Sequence, residues 1–389
     1  MLKIRIMEKK SYTLLFLFIV CTSWAQKFNV KDYGAKGNGK TDDTEYFMKA
    51  LSEIKQKFSS QKKQAVLYIP SGNYVVSKSI ILDKYTSLEG EFVNTTVLRI
   101  KSSNTPLVIL EKNFNESEIY NSYNYVRNLT LHGTDYLNID NYNTPRTIPA
   151  TETNNTGIQV NGLRTRIENM QIEGFLNNGI EVKGSYYTFI TRVFLKNNAT
   201  GLIIKDLSTS VYLTESELRF NSIAIAITNY SFANFISNNM IESNVARFYT
   251  TDMSLQQGNT NNSMGRGIVL NNAASNIITN NYFENHFVNI TLLDATKNII
   301  NNNFITLSDN MAITEKNQVS LQLLGKSTDN IFENNSFLLT REHVTNKMII
   351  GNNFDYSSNK IDVGTDNQKI KNLLKKTIKD EKLLPKITN

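Results

Sequence analysis

The chain has 389 residues, of which 40% are hydrophobic and 20% charged, with one Cys and a formal net charge of +7. The basic excess sits at the two ends. Residues 1–25 hold four basic side chains and one acidic, and residues 369–389 hold seven Lys against Asp380 and Glu381, leaving a body of 31 basic and 32 acidic residues. A body so nearly neutral lacks the basic footprint of a nucleic-acid-binding domain, and a lone Cys excludes a disulfide framework.

The first predicted element is a leader. "MEKKSYTLLFLFIVCTSWAQ" places Lys9 and Lys10 before an apolar run from Leu14 to Val20, with small residues at Ser23 and Ala25. This pattern predicts a secretory signal peptide over residues 1–25, cleaved before Gln26, and a periplasmic or extracellular protein. The run is shorter than the ~20 residues that span a bilayer, so no stable membrane insertion is expected after cleavage. Val20 stands where a lipoprotein signal would place a small residue before Cys21.

Next comes "FNVKDYGAKGNGKTDDTEYFMKAL", residues 28–51, which predicts a strand, a glycine turn and a helix. Asp42 and Glu45 resemble a capping box, and Phe47, Leu51, Ile54 and Phe58 recur at helical spacing. "AVLYIPSGNYVVSKSIIL" then alternates apolar residues around the turn Pro70, Ser71, Gly72, Asn73, as two strands joined tightly would.

From there the chain repeats. "FITRVFLKNN" from Phe189, "YLTESELRFN" from Tyr212 and "FISNNMIESN" from Phe235 follow one another at a constant offset and bring Asn198, Asn221 and Asn244 into register. Further copies start at Ile277, Asn298 and Ile331, and between copies lie short alternating segments, mostly led by Gly: "GIEV", "GLII", "AIAI" and "GIVL". A period of roughly 20–50 residues without helical spacing predicts a β-solenoid, and asparagines in register predict stacked amide ladders. The expected fold class is all-β: a right-handed parallel β-helix over residues 26–368, with an N-terminal capping strand and helix and a short C-terminal capping helix.

"FNVKDYGAKGNGKTDDT" and "YIPSGNYVV", with the coils behind them, resemble the pectate lyase superfamily of right-handed parallel β-helices, in the branch with polygalacturonase-like hydrolases and phage tailspikes. The resemblance covers nearly all of the chain after residue 25. It implies that the opening strand and helix plug the N-terminal end of the solenoid, so Asp42 and Asp43 are expected as helix-cap residues. It also implies an extracellular polysaccharide as partner, without choosing among lyase, hydrolase and binding spike. The Asn-Thr-Asp, Asp-Asp, His-Gly and Arg-Ile-Lys series of polygalacturonases does not occur in order.

Alternation places Ile180 and Val182, Leu202 and Ile204, Ile225 and Ile227, and Ile268 and Leu270 inward, which leaves Glu181, Lys183 and Lys205 outward on the Gly-led strands. Lys183 and Lys205 then lie about one strand spacing (~5 Å) apart, with Asp206 nearby. Abstraction of the proton α to a uronate carboxylate needs a base and a cation, which two neighbouring lysines supply. The favoured reading is therefore a lyase acting on an acidic polysaccharide, and the bland one is an ion-pair ladder of Glu181 with Lys183 and Lys205 with Asp206. Insertions beginning at His132 and Val245 carry Tyr142, Arg146, Arg247, Tyr249 and Arg266 as candidate substrate contacts. The alternative is a glycoside hydrolase using Glu215 and Glu217, read as i and i+2 of one strand and so ~7 Å apart, and a third reading is a non-catalytic glycan-binding adhesin. The column Glu173, Lys196, Arg219, Glu242, Glu284 reads as an ion-pair ladder.

No cofactor is indicated: His132, His286 and His343 are far apart in sequence, and although Asp206 and Asp252 could offer oxygens to calcium, no Asp-rich loop announces such a site. Ile370, Leu373, Leu374 and Ile378 line one side of the expected basic C-terminal helix at residues 369–389.

Overall fold

The computed structural model describes residues 26–101, 104–111, 124–134, 146–147, 155–244, 248–249, 265–286, 288–307, 319–339, 349–351 and 356–362. The expected leader and C-terminal helix lie outside these residues. What is described is a parallel β-helix whose coils pair strand upon strand. One ten-stranded sheet collects the Gly-led segments, and a twenty-stranded sheet bends along its length into two further faces. We call these three surfaces the Gly-led face, the aromatic face (Tyr212–Thr214, Phe235–Ser237) and the charged face (Glu217–Arg219, Met240–Glu242).

The repeat register holds residue by residue. Phe189 pairs with Tyr212, Tyr212 with Phe235, Phe235 with Ile277, Ile277 with Ile299 and Ile299 with Ile331. The copy assigned to Asn298 thus starts one residue later, because Asn298 belongs to the preceding corner. All eight side chains expected to point inward from the Gly-led strands are fully buried. The leading glycines mark where coils approach closely: a Cβ at Gly201 would sit 2.7 Å from the Ala224 carbonyl oxygen of the next coil.

The N-terminal helix spans Thr44–Lys57 and buries Phe47, Ala50 and Ile54 in the core. Its N-cap is Asp43, whose carboxylate turns away from the helix to accept the Lys36 and Gly37 amides at 2.7 and 3.0 Å. Asp42 accepts the Thr44 amide instead. Both aspartates therefore fasten the plug, and neither forms the expected reciprocal box with Glu45.

Each corner of the solenoid contains a ladder of buried amides. Asn198, Asn221 and Asn244 link the charged face to the Gly-led face; Asn234, Asn276, Asn298, Asn330 and Asn359 follow the Gly-led face; Asn239, Asn281, Asn303 and Asn335 join the aromatic and charged faces. A rung satisfies every group. The Asn221 Oδ1 accepts both the backbone N–H and the Nδ2 of Asn198, while its own Nδ2 donates back to the Leu195 carbonyl and forward to Asn244.

The first ladder ends on His286, which is completely buried and whose Nε2 lies 3.1 Å from the Asn244 Nδ2. Since the amide can only donate, Nε2 accepts and Nδ1–H donates to the Asn289 Oδ1 at 2.8 Å, which fixes a neutral ring. Burial pushes its pKa down from 6.5 to about 4. The unfolded chain therefore takes up a proton below about pH 6.5 that the folded chain refuses until about pH 4, so stability is lost as pH falls through that window. The loss is expected to be on the order of 3 kcal/mol. In His286→Asn, which continues the ladder, denaturant unfolding from pH 7 to pH 4 should show that part of the pH dependence removed; an unchanged profile would assign it to other groups.

Candidate functional site

The outer side of the Gly-led face is the most unusual surface of the molecule. Its central outward column runs Gln159, Glu181, Ile203, Ala226, Val269, Thr291, Gln322. An outer solenoid surface ordinarily meets solvent, yet Glu181, Ala226, Val269, Thr291 and Gln322 are buried. Lys183 and Lys205 pair directly across neighbouring strands, as their spacing predicts.

Their charges are matched in a crossed arrangement. The Lys205 ammonium reaches back to Glu181 at 3.3 Å, and Lys183 reaches forward to Asp206 at 3.9 Å. The expected ladder paired each lysine with the acid of its own coil; the structure pairs each with the acid of its neighbour. The two bridges are unequal. Glu181 retains 10% of its side-chain exposure and also accepts the Asn178 amide at 2.9 Å, whereas Lys183 remains 49% exposed and Asp206 38%.

Arg266 opens the strand Arg266–Asn271 on this same face, three strands beyond Glu181. Its Nη1 donates to the Thr291 Oγ1 and the Gln322 Oε1, both at 2.7 Å. Complete burial pushes its pKa down to about 10, which still leaves a cation at neutral pH. The structure thus brings Glu181, Lys183, Lys205, Asp206 and Arg266 onto one sheet surface. Arg266, expected as an exposed loop contact, is a buried member of the sheet.

Of the remaining candidate contacts, Tyr142 and Arg247 lie outside the described residues. Arg146 and Tyr249 are described in backbone only: Arg146–Thr147 and Phe248–Tyr249 form a two-stranded parallel sheet that ties the two insertions together. Both insertions join the charged face to the Gly-led face, entering on its leading side.

Glu215 and Glu217 sit elsewhere, in a cleft of about 570 Å³ at the corner between the aromatic and charged faces, with Asn169, Arg192, Asn238 and Met240. Glu215 is not in a strand. It occupies the corner with φ +52°, so the i, i+2 strand spacing does not apply to this pair. In this corner the chain places Asn128, Asn169, Asn238, Asn280, Asn302 and Asn334 at positive φ and departs from Asn at Arg192 and Glu215, which form an ion pair at 3.3 Å. The coil alignment contains that departure, a signal missed in reading the sequence for catalytic pairs. Arg219 bridges Glu242 of the next coil at 2.6 Å, as the ladder reading of that column anticipates, and also Glu217 of its own strand at 2.5 Å. Burial first, then the neighbouring Glu284 and Glu217, raises the Glu242 pKa despite Arg219.

On the aromatic face, the rings of Phe189, Tyr212 and Phe235 stack nearly parallel at centroid spacings of 5.0 and 4.9 Å. Their faces are used on each other, which leaves edges rather than faces to solvent. Among the described residues no cluster of three or more His, Cys, Asp or Glu is arranged to hold a metal ion.

Comparison with known proteins places this architecture. The profile of the family described as rhamnogalacturonase A/epimerase, pectate lyase-like, matches residues 27–247. The chain belongs to this family. Its curated relatives include a glucan 1,3-beta-glucosidase of Cochliobolus carbonum, 38% identical over 119 residues, and alginate lyase 7 of Azotobacter vinelandii, 32% identical over 81 residues. These matches cover 27% and 19% of this chain but 15% and 9% of the relatives. Among solved structures, the surface adhesin PfbA of Streptococcus pneumoniae superposes with a TM-score of 0.61 at 16% identity, covering 84% of this chain and 82% of that one. The A-module of the mannuronan C-5 epimerase AlgE6 of Azotobacter vinelandii gives 0.57 at 14% identity, over 85% and 91%. At such identities the likeness establishes the fold, a right-handed parallel β-helix, within a carbohydrate-active family.

The unequal bridges lead to unequal expectations. Lys183→Ala should change stability by less than about 0.5 kcal/mol, as exposed substitutions do. Lys205→Ala strands the buried Glu181 carboxylate and should cost about 1–3 kcal/mol. Adding Glu181→Gln to Lys205→Ala should recover most of that loss in urea unfolding; no recovery would show that Lys205 acts through packing alone.

Proposed function

We propose that the protein is a secreted enzyme that binds an acidic polysaccharide across the Gly-led face and cleaves it by β-elimination. The observation that carries this reading is the in-register pair Lys183 and Lys205 on the same outward surface as Glu181 and Arg266. Lys205, seated on Glu181, supplies a fixed cation for the uronate carboxylate and for the negative charge that develops as the α proton leaves. Lys183 is exposed and loosely tied, so its amine can approach the α carbon and take that proton. The electron pair left behind forms the new double bond while the glycosidic oxygen departs, protonated by solvent.

A second reading, hydrolysis at the corner cleft, is favoured by the Glu215 and Glu217 carboxylates lining one open cavity. One experiment separates the two. Polygalacturonate, alginate and a neutral glucan are incubated with the wild type and with Lys183→Ala, Glu215→Gln and Glu217→Gln. The lyase reading expects unsaturated, ultraviolet-absorbing products from an acidic chain and a 10²- to 10⁴-fold loss of rate in Lys183→Ala alone, the usual penalty for a missing base. New reducing ends without that absorbance, lost in the glutamine variants, would replace it with hydrolysis. Wild-type turnover in Lys183→Ala would sink the lysine mechanism.

A further inference from the structure

The Gly-led face has a second bank, along the edge where each strand leaves for the aromatic face. Here the coils differ in length. Two residues separate Lys183 from Tyr186, Asn271 from Ala274 and Leu293 from Thr296, whereas three follow Lys205 and Thr228, although all these end points are in register. The short turns need one residue at positive φ: Gly184, Asn272 or Asp294. The long ones use two in succession, Asp206 and Leu207 at +58° and +63°, then Asn229 and Tyr230 at +50° and +61°. A third long turn, after Leu324, uses Gly325.

The fold does not demand the extra residue, since the same corner closes without it in three other coils. Nor does it favour Leu or Tyr there, because a left-handed conformation is costly for bulky side chains. Yet the added residues are the most exposed large apolar side chains of this bank: Leu207 is 57% and Tyr230 69% exposed. Tyr187, in the coil before Leu207 and with the Arg164 guanidinium 5.1 Å from its ring, is 41% exposed, and Phe232, two residues beyond Tyr230 in the same coil, is 43% exposed. Exposed apolar side chains gathered along one corner of three successive coils, with Tyr187, Leu207 and Tyr230 held at positive φ, mark a binding surface.

The polar feet of these turns identify what binds. Asp206, at the base of Leu207, holds Lys183 at 3.9 Å and accepts the Asn229 amide at 2.9 Å, so the row rises directly from the lysine strip. A ligand lying on the strip meets cations and amides on one side and apolar crests on the other. That alternation suits a pyranose ring, with hydroxyl and carboxylate groups at its edge and C–H groups on its face. Unlike Phe189, Tyr212 and Phe235, whose faces are spent on stacking, Tyr230 and Phe232 stand open. We propose that Tyr187, Leu207, Tyr230 and Phe232 form a glycan-binding rim that takes the C–H faces of the sugar chain beside the lysine strip. It rests on the reading that the Gly-led face handles a polysaccharide, and it deepens that reading by adding a rim that acts in binding alone.

Affinity electrophoresis in native gels containing polygalacturonate, alginate or a neutral glucan tests it without reference to turnover. Tyr230→Ala with Phe232→Ala should weaken binding about tenfold, raise KM and leave kcat unchanged. Thermal midpoints should stay close to the wild-type value, because both side chains are exposed and Ala keeps the same Cβ on the backbone. Phe304→Ala, on the charged face and as exposed as Phe232, should bind as the wild type does. Undiminished binding by the double variant overturns the rim, as does a self-association that the double variant abolishes while glycan binding persists. Failure of the wild type to bind any of the three overturns the rim together with the reading beneath it. Binding that depends on Tyr230, in a protein that cleaves nothing, upholds the rim and overturns only the enzymatic reading.

Discussion

Every coil of this protein turns three corners, and every corner takes backbone amides out of water. A strand can hand its N–H and C=O groups to the coils above and below, but a corner breaks that pattern and leaves donors pointing into the interior. An unpaired buried donor costs about as much as a large fraction of a domain's net stability. The asparagine ladders meet this constraint, because an amide side chain offers the acceptor that the preceding corner lacks and the donors that the neighbouring carbonyls lack. Positive φ at the same corners suits Asn, which tolerates that region better than most residues. Stacking, register and the three flat faces all follow from corners that close.

With corners and core fixed from inside, the outer faces are free to vary, and the three have diverged. The aromatic face invests its rings in one another. The charged face strings acids and bases along the axis, so that Arg219 serves Glu217 and Glu242 together. The Gly-led face buries a run of polar and charged groups on its exterior, at Glu181, Arg266, Thr291 and Gln322, whereas the buried acids of the twenty-stranded sheet, Glu89 and Glu173, each sit against a basic partner, Lys27 and Arg127 for the first and His132 for the second. Burying charge outside a core brings no packing benefit that apolar residues would not bring more cheaply.

The architecture was legible in the sequence because its cause is periodic. Repeated asparagines and alternating Ile, Val and Leu report corners and core directly, and residues 189–244 alone reveal the register. The site was only half legible. Alternation placed Lys183 and Lys205 on one surface, but the crossed pairing with Glu181 and Asp206 depends on how coils are offset, which no single strand records. Arg266 looked like a loop residue because the insertion before it hides the strand it opens. Glu215 looked like a strand residue because its neighbours alternate, whereas the coil alignment assigns it to an asparagine corner. Leu207 and Tyr230 escaped notice since a one-residue lengthening is invisible until the strands on both sides are paired.

The ladders also give the solenoid a direction. In all three, the backbone N–H of one coil donates to the amide oxygen of the next coil toward the C terminus: Asn198 to Asn221, Asn239 to Asn281, Asn298 to Asn330. A partly built stack therefore ends in donors awaiting acceptors on its C-terminal side and in filled acceptors behind. Water can satisfy such an end at little cost, whereas the opposite end of a stack presents acceptors in place of donors. The helix of residues 44–57 closes one end by apolar packing, and along the described coils the amides all face the other way, which makes the stack polar along its axis, with two chemically different ends.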